Sequence, residues 1–172
     1  DCVAIGETGF DFKYGDANRD RQQDFFVAQL NMAQQHKKPA IIHMRQAEAA
    51  TLAVLNNYPD LPKVIHCYST GIDFFNQLLG PNNMVSFTGL ITYSSKGKLI
   101  KAVRDIPLEN IMIETDSPYL PPKIRDSKQN ETMPNSTTTS SGQNSPAFVG
   151  AMAHRIAEIK DIAVTDIINA TT

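Results

Sequence analysis

Short apolar runs alternate along this chain with longer segments whose apolar residues recur at helical spacing. The apolar runs occupy residues 3–6, 40–42, 63–65, 84–88 and 111–115. The segments with helical spacing cover residues 17–38, 46–57, 73–79 and 96–104, and a further one begins at 145. Brief apolar runs separated by helices are typical of parallel strands in βα units. The pattern therefore predicts an α/β fold with a parallel sheet and right-handed crossovers.

Four of the apolar runs stop at a side chain that can bind a metal ion. Glu7, His43, His66 and Asp116 each close or directly follow one of them. A residue that ends a parallel strand lies at the carboxyl edge of the sheet, so the four side chains should converge on one face. One Glu, two His and one Asp form a ligand set suited to a divalent metal in a hydrolase. A single histidine at a strand end is more often only hydrogen-bonded, but the repetition favours the metal site.

Two architectures fit the alternating elements. One is an open, doubly wound sheet of five strands, and the other is part of an eight-stranded (β/α)8 barrel. An open sheet spreads the strand ends by about 4.8 Å per strand, whereas a closed barrel gathers them around one axis. Ligands at four different strand ends therefore favour the partial barrel.

Composition places the chain in the ordinary soluble globular class. It has 172 residues, 41% hydrophobic residues and a formal net charge of −2. No stretch reaches the roughly 18 apolar residues of a membrane span, so we expect no membrane partner. Cys2 and Cys67 form no CxxC pair, which suits a reducing compartment. We expect a cytoplasmic or nuclear location; because the chain begins at Asp1 without Met, an upstream targeting segment stays open.

Residues 126–144 differ from the rest of the chain because Ser, Thr, Asn and Gln dominate them. Such a segment cannot bury enough apolar area to order itself. We interpret 126–144 as a low-complexity loop inserted into one domain that spans 1–172.

Four motifs in order along the chain resemble those of the TatD-like deoxyribonuclease family. They are GETGFD at 6–11, IHMR at 42–45, IHCYS at 65–69 and ETDSPYL at 114–120, and NSPAFV at 144–149 resembles the segment after the family's last strand. The resemblance implies a metal-dependent hydrolase on a (β/α)8 barrel, of which this chain would supply strands 4–8. The family's first strand carries a His-x-His pair that this sequence lacks. The family's basic stretch near Lys123 and Arg125 is interrupted by the polar segment.

The chemistry of the ligands, supported by the resemblance, suggests roles for them. Glu7 can bridge two divalent ions with its two oxygens, and His43 and His66 can complete one site through neutral imidazoles. Asp116 can bind metal and accept a proton from water as general base. Glu7 and Asp116 are thus the predicted catalytic residues. The complete protein should bind two ions, and the sequence does not distinguish Mg, Mn and Zn.

Neighbouring polar residues are predicted to support this site. Arg45 shares the strand face of His43 and could bind a phosphate oxygen; the alternative is a salt bridge to Asp11 or Glu114. Asp11 and Glu114 are predicted to orient the ligands rather than to bind metal themselves.

The most direct functional interpretation is a deoxyribonuclease or exonuclease that cleaves phosphodiester bonds in DNA or RNA. Tyr68, Tyr93 and Tyr119 lie near strand ends and could stack on bases. Two alternatives remain: a deacylase or ester hydrolase with the same site, and a truncated, non-catalytic remnant. If strands are missing, the edges at 2–6 and 111–115 are unpaired, and the isolated chain should be marginally stable and self-associate.

Overall fold

The computed structural model describes residues 2–78, 80–123 and 143–172. The strands are β1 Ile5–Asp11, β2 Ala40–Arg45, β3 Lys63–Ile65, β4 Asn83–Phe87 and β5 Ile111–Ile113. The helices are α1 Arg19–Gln35, α2 Glu48–Leu55, α3 Ile72–Phe75, α4 Lys98–Asp105, α5 Val149–Lys160 and α6 Val164–Thr171. The strand order is β1-β2-β3-β4-β5, and the first three pairs are parallel. The predicted βα alternation is confirmed.

The chain divides into two compact units. The first unit comprises Asp1–Tyr68 and Asp73–Val85, and the second comprises Ser69–Ile72 and Ser86–Thr172. The prediction of a single domain over 1–172 is not tested by this division and stays a prediction.

Helix α1 covers the first strands of the first unit. Its apolar stripe, Phe26, Leu30 and Ala33, is fully buried, as the helical spacing predicts. The ring of Phe26 packs edge-on against Phe10 of β1 with centroids 5.5 Å apart. Phe10 and Ile42 are both fully buried, so β1 and β2 turn one face towards this core. Their other face is left for polar side chains.

Two strands extend further than the apolar runs indicated. β1 continues through Glu7 to Asp11, and β2 continues through His43 to Arg45, so Glu7 and His43 lie within strands. His66 directly follows β3. The strands continue because Thr8 and Phe10 stay buried on one face while polar residues alternate on the other. An apolar run marks the buried part of a strand rather than its end.

The second unit is built around β5 and the helices α4 to α6. The backbone N–H of Glu114, directly after β5, donates to the Phe87 carbonyl at the end of β4 (3.1 Å). The main buried side chains of this unit are Ile100, Val103, Ile106, Met152, Ile156 and Ile167. At the end of α5, the Lys160 ammonium donates to the carbonyls of Arg104 and Ile106 at 3.1 and 2.6 Å.

Most of the predicted loop at 126–144 lies outside the described residues. Its last residue, Asn144, is buried. Within the described ranges, no helix combines the length and the apolar character that crossing a membrane requires.

Candidate metal centre

The register of β1 against β2 places His43 between two carboxylates. Gly9 is the register partner of His43, and Glu7 and Asp11 lie two residues to either side of it. Residues two apart on a strand share a face, so Glu7 and Asp11 point to the same side. A Cβ at Gly9 would lie 2.0 Å from the His43 carbonyl oxygen, and Gly9 has a φ of +144°. Glycine therefore permits the close backbone approach that sets this spacing.

Three ligand atoms converge in the first unit. Glu7 Oε1 lies 2.9 Å from His43 Nδ1 and 3.2 Å from His66 Nε2. The two imidazole nitrogens are 3.1 Å apart. Within the part of the chain that the structure describes, these residues form the one group of three or more His, Cys, Asp or Glu side chains whose ligand atoms approach one another in this way.

The spacing of these atoms fits one divalent cation. Donors about 2.1 Å from an ion lie about 3.0 Å apart at right angles and about 3.4 Å apart at tetrahedral angles. The measured separations of 2.9, 3.1 and 3.2 Å fall in or next to that range. One carboxylate and two imidazoles are ligands that Zn²⁺ and similar ions accept. The side chain of His66 is 10% exposed and that of Glu7 is 52% exposed, so the group is open on the carboxylate side.

Asp11 lies on the far side of the His43 ring. Its Oδ2 is 3.2 Å from His43 Nε2 and 4.0 Å from Arg45 Nη1. Partial burial alone would raise the pKa of Asp11, but hydrogen bonds from the Lys13 backbone and His43, together with the positive charge of Arg45, hold it below its usual value. With Nε2–H donating to Asp11, Nδ1 keeps the lone pair that a metal ion needs.

Glu114 and Asp116 belong to the second unit. Glu114 accepts a hydrogen bond from the hydroxyl of Ser86 on β4. Asp116 adopts a left-handed conformation with φ +55°, and its carbonyl accepts from the Tyr119 N–H at 2.9 Å. The roles of Asp116 as ligand and base and of Glu114 as a support remain predictions.

The side chains predicted to bind substrate differ in exposure. Arg45 and Tyr119 are exposed, and their roles also stay predictions. The prediction for Tyr68 is wrong, because its ring is 1% exposed and packs against Phe74 with centroids 6.2 Å apart. Burial also raises the pKa of Tyr68. Cys67 takes a left-handed φ of +48°, which ends the strand alternation, and Tyr68 lies in the core.

Asn144 is a site-building residue that the sequence did not reveal. Its side-chain amide donates to the carbonyls of Thr115, Tyr119 and Leu120 at 2.5, 2.6 and 3.3 Å. Its backbone N–H donates to Pro118 O at 3.1 Å. Asn144 thus fixes the backbone of the segment that carries Asp116. Two signals were available: Asn144 opens the NSPAFV segment of the family resemblance, and it directly precedes Ser-Pro at a helix start.

In comparisons with known proteins, this chain is similar to metal-dependent hydrolases. The uncharacterized metal-dependent hydrolase YcfH of Escherichia coli K12 is 34% identical over 172 residues, which cover 99% of this chain and 60% of the relative. The human 3'-5' RNA nuclease TATDN2 is 38% identical over 127 residues, which cover 71% of this chain and 17% of that protein. This chain thus spans about three fifths of the length of the bacterial relative.

Solved structures agree on the fold. The crystal structure of the TatD homologue YJJV from Escherichia coli matches with a TM-score of 0.80 at 24% identity, covering 98% of this chain and 60% of that one. A yeast structure described as an uncharacterized amidohydrolase matches with a TM-score of 0.81 at 20% identity, covering 98% of this chain and 62% of that one. The predicted fold class is confirmed.

The predicted family resemblance is confirmed as well. The sequence model of the family described as TatD related DNase matches residues 1–172, and the chain therefore belongs to that family.

Proposed function

We propose that this chain provides a metal-binding part of a hydrolase that cleaves phosphodiester bonds in nucleic acid. The observation that carries the proposal is the convergence of Glu7 Oε1, His43 Nδ1 and His66 Nε2 within 3.2 Å of one another. The names of the relatives support it: the bacterial relative is called a metal-dependent hydrolase and the human one a 3'-5' RNA nuclease.

A divalent cation at this site would polarise the phosphoryl oxygen and lower the pKa of a water molecule. Glu7, His43 and His66 are the residues that would hold it. In a complete site, Glu7, whose carboxylate is half exposed, would also be available as a ligand of a second ion. Asp11 keeps the His43 ring in the orientation that binding requires.

Two further side chains take part in the reaction in this proposal, one through the attacking water and one through the substrate. Asp116 accepts the proton that the attacking water releases, which is the work of a general base. Arg45 donates N–H groups to a phosphate oxygen. Its guanidinium is exposed and stands 4.0 Å from Asp11, too far for a tight bidentate pair, so its donors can turn to a substrate.

The test compares substrates side by side. The protein is incubated with Mn²⁺, Mg²⁺ or Zn²⁺ and with labelled single-stranded DNA, RNA of the same sequence, or a simple acyl ester. We expect phosphodiester cleavage that EDTA and His43→Ala abolish, whereas His36→Ala, which removes an exposed histidine after α1, leaves it unchanged. Cleavage of the ester alone would replace the proposal with an ester hydrolase. Metal-dependent nuclease activity that survives in His43→Ala would refute the assigned site.

A further inference from the structure

The loops after β4 and β5, together with helix α4, carry an excess of positive charge in a chain whose net charge is −2. Residues 86–104 contain no Asp or Glu, and residues 117–123 contain none either. The lysines in these two stretches are Lys96, Lys98, Lys101 and Lys123, and all are exposed. The second unit therefore presents positive charge here without neighbouring carboxylates from the same stretches.

Hydrogen bonds join the two loops into one surface. The Tyr93 hydroxyl donates to the Pro121 carbonyl at 2.7 Å, and the Lys123 N–H donates to Thr92 Oγ1 at 2.8 Å. A Cβ at Gly89 would lie 2.2 Å from the Leu120 carbonyl oxygen, so a glycine is needed where the loops touch.

The joined loops place a cation over the face of an aromatic ring. The Tyr93 side chain is 42% exposed, and the Lys123 ammonium lies 4.7 Å from the centre of its ring. Tyr119, which is also exposed, lies on the same loop as Lys123. An aromatic ring can stack on any base through a face that the ammonium does not cover, and the ammonium can neutralise the phosphate that flanks the stacked base.

Arg155 of α5 holds the loop that carries Tyr93. Its Nε donates to Ile91 O at 3.1 Å and its Nη2 donates to Ser94 O at 2.9 Å. Its Nη1 is paired with Glu158 at 2.9 Å. With its donors used in this way, Arg155 is a positioning residue: it orients the backbone on both sides of Tyr93 rather than presenting its charge to a ligand.

We infer that these loops, which we call the Tyr93–Lys123 surface (residues 92–96 and 119–123), bind single-stranded nucleic acid through base stacking on Tyr93 and phosphate contact with Lys123. The inference rests on the proposed nuclease function and specifies where the strand is held. A single strand fits better than a duplex, because stacked and paired bases do not offer their faces to a ring. An acidic protein would pair with the Lys123 ammonium but would not stack on the Tyr93 ring.

The test measures binding without catalysis. Fluorescently labelled 12-mers of DNA and RNA are titrated with protein in EDTA, and affinity is followed by anisotropy at several salt concentrations. Tyr93→Ala should weaken binding about tenfold, whereas Tyr93→Phe, which keeps the ring, should stay within about threefold of wild type. Lys123→Gln should weaken binding and reduce the salt dependence by about one phosphate contact.

Two further variants are informative: one tests whether Arg155 positions the loop without contacting the nucleic acid, and the other is a control. Arg155→Ala should weaken binding while leaving the slope of affinity against salt unchanged, because Arg155 neutralises no phosphate. Phe25→Ala is the matched control: Phe25 is 57% exposed on α1 of the first unit, and the Arg21 guanidinium lies 5.7 Å from its ring centre. It should bind like wild type.

Several results would overturn the inference. The first is that the wild-type protein does not bind the oligonucleotides. The second is that Phe25→Ala weakens binding as much as Tyr93→Ala does. The third is that polyglutamate displaces the oligonucleotide as readily as unlabelled DNA does. Lys123→Gln changes an exposed side chain and remains informative if Tyr93→Ala fails to fold. Wild type that binds in EDTA but does not cleave with metal would contradict the proposed nuclease and leave this inference standing.

Discussion

The two units hold their polar residues by different means. In the first unit, Glu7 and Asp11 come from one strand and His43 from the next, so the strand register alone sets their spacing. In the second unit, Asp116 lies in an irregular segment whose carbonyls are bonded by the amide of Asn144. Regular strands position side chains through a fixed period, whereas a loop needs a dedicated anchor for each turn. The first arrangement can be derived from local sequence and the second cannot.

The largest effect is expected in the first unit, where His66→Ala should abolish saturable binding of Zn²⁺ or Mn²⁺ to the chain. The mostly buried imidazole of His66 supplies one of three converging atoms, and its loss leaves Glu7 and His43 as a weak pair. Calorimetric titration of the folded chain measures this. His36→Ala is the control because His36 is exposed at the end of α1. Binding by His66→Ala equal to wild type would remove the central claim.

The second prediction concerns the proposed base in the second unit. Asp116→Asn keeps the shape of the side chain but cannot accept a proton, so turnover should fall by about a hundredfold or more. Metal binding by Glu7, His43 and His66 should persist, because these ligands belong to the first unit. Steady-state kinetics on an oligonucleotide and a metal titration measure the two effects.

The control for this prediction is Asp105→Asn, which makes the same chemical change at the exposed end of α4. If Asp116→Asn is folded and its turnover equals that of wild type, Asp116 has a structural role. The second unit would then not supply the catalytic base that the contrast between the two units requires.

The sequence predicted the elements that depend on periodicity. The buried stripe of α1 and the alternation of strands and helices follow from local spacing, and Glu7, His43 and His66 could be grouped because their side chains close successive apolar runs. Strand lengths were missed, since polar residues continue β1 and β2 on the exposed face.

Predictions failed where a single backbone angle or a distant contact decides the outcome. Tyr68 was a stacking candidate because it lies near a strand end, but the left-handed φ at Cys67 ends the strand there and the Tyr68 ring is buried in the core. Asn144 lies at the end of a polar stretch, and nothing in its local pattern indicates hydrogen bonds to residues 24 to 29 positions away. Such long-range hydrogen bonds have no period that a sequence could display.

The third prediction tests whether the hydrogen bonds of Asn144 stabilise the second unit. Asn144→Ala should lower the free energy of unfolding by about 1 to 2 kcal/mol, because the part-buried carbonyls that accept from the buried Asn144 amide would lose their donor. Asn144→Asp should cost at least as much, since a carboxylate cannot donate to a carbonyl. Urea unfolding measures both, and Asn76→Ala, at an exposed amide of the first unit, is the control. A change equal to that of the control would show that the segment around Asp116 does not depend on Asn144.

The smallest effect is expected at Lys63, the first residue of strand β3, which ends directly before His66. Lys63 is almost fully buried, and its ammonium donates to Asn83 Oδ1 at 3.1 Å. Burial lowers the pKa of Lys63 below its usual value of 10.5, although the charge of Asp60 opposes the shift. In the second unit, burial likewise lowers the pKa of Lys160, against the charges of Asp105 and Glu109.

The sign of the pH effect follows from proton counting. Well below its folded pKa, Lys63 carries its proton in both states and adds no slope to the pH dependence of stability. As the pH rises through the folded pKa towards 10.5, the folded chain releases the proton while the unfolded chain keeps it, so the free energy of unfolding increases.

The measurements should stop below pH 10, because burial raises the pKa of Tyr68. Above pH 10 the unfolded chain loses the tyrosine proton while the folded chain keeps it, and the free energy of unfolding falls. Urea unfolding between pH 8 and about 9.5 should therefore show a smaller rise in Lys63→Met than in wild type, and an unchanged rise in Lys37→Met, where the lysine is exposed. Equal slopes in wild type and Lys63→Met would mean that burial does not shift the proton equilibrium of Lys63 on folding.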